Sequence, residues 1–217
     1  MEKMNNQDIN EYPMGFPTSL RHIKEMTMLY SCAMREVRTK LENLSQEFEL
    51  NKSRNPIQHI THRLKNRESI RNKMLEHDLP LEYEIMRDEI TDIGGIRVIC
   101  SYINDIYAIA KMLKQQDDLL IVREKDYIAN PKPNGYRSFH LIVAIPIFLS
   151  SEKQIIPVEI QMRTIAMDFW ASLEHQLRYK TEADVPDSTR QRLTNIAGEI
   201  FNADLEMQQI YEEIKDL

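Results

Sequence analysis

The sequence predicts an α/β fold: a mixed five-stranded sheet flanked by helices, with long helices at both ends. Three observations predict it. Strand-like and helix-like segments alternate through the middle of the chain, the pattern of a sheet packed by helical crossovers. Apolar residues step by three and four through both terminal stretches, which is helical spacing. Twelve methionines against five glycines fit a helix-rich protein.

The elements follow in order. Residues 1–16 are polar, with Pro13 and Gly15, and are expected to be frayed. Pro17-Thr18-Ser19 then caps a long helix whose apolar series is Leu20, Ile23, Thr27, Tyr30, Met34, Val37, Leu41, Leu44 and Phe48. Ile57 to Lys65 reads as a strand, with Ile60, His62 and Leu64 opposing Thr61, Arg63 and Lys65. A helix from about Arg67 to Glu76 comes next, then a strand over 94–102, a helix from Ile103 to Gln116 and a strand from Leu119 to Tyr127. Ser138 to Ile147 is a β-branched and aromatic fourth strand, and Ile155 to Arg163 the fifth. Ala166 to Tyr179 is helical. After Pro186 a second seam runs through Leu193, Ile196, Ile200, Ala203, Met207, Ile210, Ile214 and Leu217. The organisation is a start and N-terminal oligomerisation helix at 1–50, a central domain at 51–182 and a C-terminal helix at 183–217. Such regular seams are narrower than the stripe of an ordinary surface helix, so at least one is expected to form a subunit interface.

Composition narrows the function. A net charge of −6 speaks against a general nucleic-acid binder, whose affinity rests on phosphate neutralisation. The two cysteines, Cys32 and Cys100, lie far apart, and with no signal peptide they suggest a reducing cytoplasm. No apolar run approaches the ~20 residues that span a bilayer, so no membrane association is expected.

The densest chemical signal is Lys132-Pro133-Asn134-Gly135-Tyr136-Arg137-Ser138-Phe139-His140. Pro133 presets a turn, and Asn134-Gly135 tolerate positive φ. On a strand starting here Tyr136, Ser138 and His140 would share one face. A flat ring, a proton carrier and nearby cations suit a nucleotide. In the fifth strand Val158, Ile160 and Met162 oppose Glu159, Gln161 and Arg163, so one face is polar. Arg63 and Lys65 share a side of the first strand, and the helix after them carries Ser69 and Lys73 one turn apart. Its N-terminus offers N–H groups and positive dipole charge to anionic oxygens. Asp92 beside Gly94-Gly95 either holds Mg2+ together with substrate phosphates or stabilises a turn. Arg97 alternates with Ile96 and Val98, and with Arg63 on the neighbouring strand it is placed to grip a base by stacking. His77-Asp78 has no second His/Asp pair to build a hydrolase centre. Glu174-His175 on a helix, His22 and His59 are weaker candidates. No Walker loop is present, which excludes an ordinary NTPase.

These motifs together resemble the synthetase domain of the RelA/SpoT family of alarmone enzymes, over roughly Asn55 to Lys180. The blocks are Arg63-Leu64-Lys65 with Ser69-Ile70 and Lys73, Asp92-Ile93-Gly94-Gly95-Ile96-Arg97, and Asp126-Tyr127-Ile128. They continue with Asn134-Gly135-Tyr136-Arg137-Ser138 and His140, Glu159-Ile160-Gln161-Met162-Arg163-Thr164, and Ala166-Met167-Asp168-Phe169-Trp170-Ala171 before Glu174-His175. The short chain looks like the single-domain small alarmone synthetases, nearest their RelP-like branch, with a nucleotidyltransferase-like sheet.

The resemblance implies pyrophosphate transfer from ATP to the 3′-OH of GDP or GTP, with AMP leaving. It implies Glu159 as general base touching Mg2+, and Asp92 as the main Mg2+ ligand. Arg63 and Arg97 would hold adenine, and Lys65, Ser69 and Lys73 the ATP phosphates. Tyr136 would stack on guanine, with Arg137, His140, Gln161, Lys125 and Lys132 positioning the acceptor. It also implies a homotetramer. Relatives of the other small branch carry an aromatic residue at the position of His59 and asparagine at that of Asp168, where they help form an allosteric site for the product. A carboxylate at Asp168 would repel a polyphosphate, which counts against product activation. The alternatives are a non-catalytic nucleotide-binding regulator and a transferase using another purine acceptor.

Overall fold

The computed structural model describes residues 19–51, 54–180 and 186–215. The polar start at 1–16, the boundary at 182–183 and Leu217 lie outside them. The element order is α1 (Leu20–Asn51), β1 (Ile57–Leu64), α2 (Arg67–Glu76), α3 (Tyr83–Glu89), β2 (Gly94–Cys100), α4 (Ile103–Lys114), β3 (Leu120–Asp126), β4 (Phe139–Phe148), β5 (Lys153–Thr164), α5 (Ile165–Lys180) and α6 (Asp187–Ile214). Capping explains two of the starts. The Ser19 hydroxyl accepts the His22 N–H at 3.1 Å at the head of α1, and the Asn66 amide oxygen accepts the Ser69 N–H at 2.7 Å in α2. Helix α3 was not expected; at seven residues it shows too little periodicity to read, and burial of Tyr83 and Met86 holds it.

The strands form one mixed sheet in the order β1-β2-β5-β4-β3. Only β2 and β5 run parallel; the other pairs are antiparallel. Val158, Ile160 and Met162 are fully buried on one face of β5, and α1 lies across that face. The α1 side chains that reach it are Met26, Leu29, Tyr30, Ala33, Met34, Val37 and Leu41. Gly94 sets the closeness of this packing: a Cβ there would meet Tyr30 and Met34 atoms at 3.2 Å.

Helix α1, expected to serve oligomerisation, buries one face against the sheet. Its seam from Tyr30 to Leu41 is the core of the fold, broadened by Met26, Leu29 and Ala33 into the wide stripe of a helix on a sheet. The α6 seam behaves oppositely. Ala197 and Asp204 face inward, while Ile196, Met207, Ile210 and Ile214 remain exposed. Helix α5 adds Ile165, Phe169, Leu173 and Leu177, also exposed, at four-residue spacing.

Candidate active site

Strand register assembles the site. Residues directly paired across strands share a face of the sheet. One row runs Arg63, Gly95, Glu159, Ile142; the next runs Thr61, Arg97, Gln161, His140, Lys125. The polar face of β5 thus continues across all five strands as the floor of a cleft opposite α1. Gly95 puts no side chain between Arg63 and Glu159; a Cβ there would be in ordinary contact with the Arg63 carbonyl oxygen, at 3.8 Å.

Glu159 stands at the centre. Its Oε1 accepts from His140 Nδ1 at 2.9 Å, and its Oε2 from the Gln161 amide at 2.7 Å. Hydrogen-bond directions follow from the donor inventory. Arg163 Nη2 donates to the Tyr136 hydroxyl at 2.8 Å. The hydroxyl proton is then free to point at His140 Nε2, 3.0 Å away. In that arrangement the His140 Nδ1–H is aimed at Glu159. Burial pushes the Glu159 carboxyl up, but His140 and Gln161 outweigh it and leave the carboxyl below its usual range. It is ionised at neutral pH.

Asp92 lies in the turn before β2. Its Oδ2 meets both Lys65 Nζ and Lys73 Nζ at 2.8 Å. Burial pushes this carboxyl up too, but the two ammonium groups together hold it below its ordinary value. The other oxygen, Oδ1, is buried without a hydrogen-bond partner. An orphaned carboxylate oxygen beside two lysines and near Glu159 fits a divalent cation bound through one or two carboxylates and substrate phosphates. Ser69 sits in the first turn of α2, but its own N–H is taken by the Asn66 cap, so the helix offers one donor fewer than expected.

The acceptor loop departs from the expected strand. β4 begins at Phe139, so Tyr136 is not on it. Ser138 is buried and donates to the Met162 carbonyl at 3.1 Å instead of facing the cleft. Tyr136 and His140 still converge, because the loop folds the phenol back over β4. Asn134 accepts the Tyr136 N–H at 3.2 Å and donates to Glu174 at 3.3 Å. Gly135, not Asn134, takes positive φ, at 88°. A Cβ there would sit 2.6 Å from that of Ala197 on α6, so glycine is required twice over. Lys132 Nζ lies 5.1 Å from the Tyr136 ring and 5.0 Å from Tyr127, and Tyr127 meets His140 edge-on.

Most of the expected residues come together. Arg63 and Arg97 flank Gly95, and Lys125 stands opposite His140. Arg137 does not join them: it donates to the Ile128 carbonyl and lies 3.7 Å from the Phe201 ring, seated on α6. Two residues take up contacts that were not expected of them. Arg163, 5% exposed, holds Tyr136, and Asp168 accepts from Arg163 Nη1 at 2.9 Å. The alternation of β5 put Arg163 on the right face. Nothing local linked it to a tyrosine 27 positions earlier.

Known proteins similar to this chain share its fold. Residues 62–184 match the region found in RelA / SpoT proteins. The chain is 43% identical over 197 residues to the GTP pyrophosphokinase YwaC of Bacillus subtilis, covering 91% of this chain and 94% of that one. Its structure resembles small alarmone synthetase 1 of Bacillus subtilis bound to its product pppGpp, with a TM-score of 0.80, 35% identity and coverage of 85% and 94%. It also resembles the same synthetase bound to AMPCPP, with a TM-score of 0.76, 30% identity and coverage of 91% and 100%.

Proposed function

Because the chain belongs to the RelA/SpoT family, among its small alarmone synthetases, we propose that it transfers pyrophosphate from ATP to the 3′-OH of GDP or GTP. The products are ppGpp or pppGpp and AMP. The observation that carries this reading is the ionised Glu159, held by His140 and Gln161 beside the orphaned oxygen of Asp92. A protein that only bound nucleotides would need neither an oriented base nor a carboxylate among phosphate-binding lysines.

The acceptor 3′-oxygen attacks the β-phosphorus of ATP, and the bridge to the α-phosphorus breaks. Glu159 takes the 3′-OH proton as that bond forms. Gln161 and His140 keep both carboxylate oxygens oriented. Lys65 and Lys73 exchange Asp92 for the ATP phosphates and offset charge on the transferring group, which is most of what such transfer asks of a protein. Arg63 and Arg97 hold adenine across Gly95, and Tyr136 stacks on guanine. Lys125 and Lys132 add positive charge on the acceptor side. Asp92, with Glu159 beside it, would hold Mg2+, which supplies neutralisation of the phosphate oxygens when bound. Incubation with labelled ATP, Mg2+ and each of GDP, GTP, GMP and ADP tests the reading. Label is expected in a guanosine tetra- or pentaphosphate; transfer to ADP alone, or none to any acceptor, would refute it.

No helix among the described residues is long and apolar enough to cross a membrane, and we place the protein in the cytoplasm. The exposed stripes of α5 and α6 support a symmetric homo-oligomer, a tetramer in this reading, since soluble monomers avoid large apolar patches.

A further inference from the structure

Asp168 lies in the first turn of α5, immediately after β5. The chain turns sharply there, because Thr164 Oγ1 accepts the Met167 N–H at 3.1 Å. That turn brings Asp168 back onto Arg163, the last residue but one of β5. The Arg163 guanidinium is divided between two partners: Nη1 donates to Asp168 Oδ1 at 2.9 Å, and Nη2 to the Tyr136 hydroxyl at 2.8 Å. It also lies over the Tyr136 ring, 5.0 Å from its centre. Arg97 reaches the same Asp168 oxygen from β2, at 3.4 Å.

One carboxylate oxygen therefore bridges two guanidinium groups with different tasks. Arg97 belongs to the adenine side of the cleft, and Arg163 holds the tyrosine of the guanine side. Without Asp168 the two cations would face each other at close range in a partly buried setting. A purine stacked on Arg97 would compete with Asp168 for that guanidinium, and a change there would reach Tyr136 through Arg163.

We propose that Asp168 is a positioning residue that couples the donor and acceptor subsites, so that occupancy of either changes affinity for the other. The inference rests on the functional reading above. It requires no contact between Asp168 and substrate, and reciprocity of the two effects is a thermodynamic necessity.

Calorimetric titration of GDP, with and without a saturating α,β-methylene analogue of ATP, tests it. In the wild-type protein the analogue is expected to change GDP affinity by about fivefold or more, the lower end of ordinary coupling between sites. Asp168→Asn keeps the shape and removes the charge; the coupling factor should fall toward one while thermal unfolding changes little. Asp168→Glu should restore part of it. Arg163→Lys, which keeps the cation but not the two-armed bridge, should also lose coupling, and it serves if Asp168→Asn proves unstable. A wild-type protein without coupling, or variants that retain the wild-type factor, would overturn the inference. Synthesis is assayed on the same samples. Product formation with unchanged coupling removes this inference alone; no product from the wild-type protein removes the functional reading and this inference with it.

Discussion

Replacing Glu159 by glutamine removes a base while leaving the cleft its shape. The hydrogen bonds around the site make the substitution unusually clean. The new amide presents one oxygen and one NH2 where two carboxylate oxygens stood. Gln161 meets the change by turning its own amide, since its partner lies 2.7 Å away in either orientation. His140 then keeps its bond to the oxygen that remains; in the opposite amide orientation it is His140 that changes, by moving its proton to Nε2 and donating to the Tyr136 hydroxyl, 3.0 Å away. No buried polar group is stranded, so stability and nucleotide binding should stay near wild type. What disappears is proton acceptance, typically a factor of 10²–10⁴ in rate, or about 2.7–5.5 kcal/mol of barrier. Single-turnover transfer of label from ATP to GDP measures this directly, with GDP affinity measured in parallel. A Glu159→Gln enzyme keeping more than about a third of wild-type turnover, far above that range, would refute the general-base assignment. A matching collapse in GDP affinity would refute the claim that the site tolerates the amide.

Tyr136→Ala should weaken GDP binding by about 1–3 kcal/mol, the worth of base–aromatic stacking, with little change for ATP; equal losses in calorimetry would make Tyr136 structural. His140→Gln removes the largest influence holding the Glu159 carboxyl below its usual range and leaves burial to raise it. The base form then survives only at higher pH, so the acidic limb of the kcat/KM profile should move upward; a limb that stays in place would show that His140 does not tune the base. Val37→Asp sets a charge in the fully buried core and should cost roughly 4 kcal/mol or more, a large part of an ordinary domain's stability, so loss of the folded circular dichroism signal is expected. Ile210→Asp, on the exposed side of α6, should leave the fold intact and shift the mass seen by light scattering toward about 26 kDa, the chain's own 25.7 kDa; an unchanged mass would remove α6 from the interface.

Local patterns decided much of this protein. Period-two alternation in β5 separates Val158, Ile160 and Met162 from Glu159, Gln161 and Arg163, because a pleated strand sends neighbours to opposite faces. The same rule put Arg97 opposite the apolar residues of β2. Three-four spacing located α1 and α6, and Ser19 and Asn66 mark helix starts through bonds to residues three positions on. All of these signals lie within a few residues of what they predict.

Tertiary structure decided the rest. Spacing shows that a helix has an apolar stripe, not what the stripe covers. The α1 seam met the sheet, and the α6 seam was left outward because a different face, with Ala197 and Asp204, docked against α5, β5 and the acceptor loop. The partners of Glu159 were equally non-local. His140 reaches Glu159 only because β4 pairs with β5 in a register that sets it opposite Gln161. Arg97 and Arg163 share Asp168 only because β2 lies parallel to β5 and α5 folds back over both. Register is set by the summed burial of whole strands. No short stretch of sequence contains that sum, and the charged network on the polar face is a consequence of it.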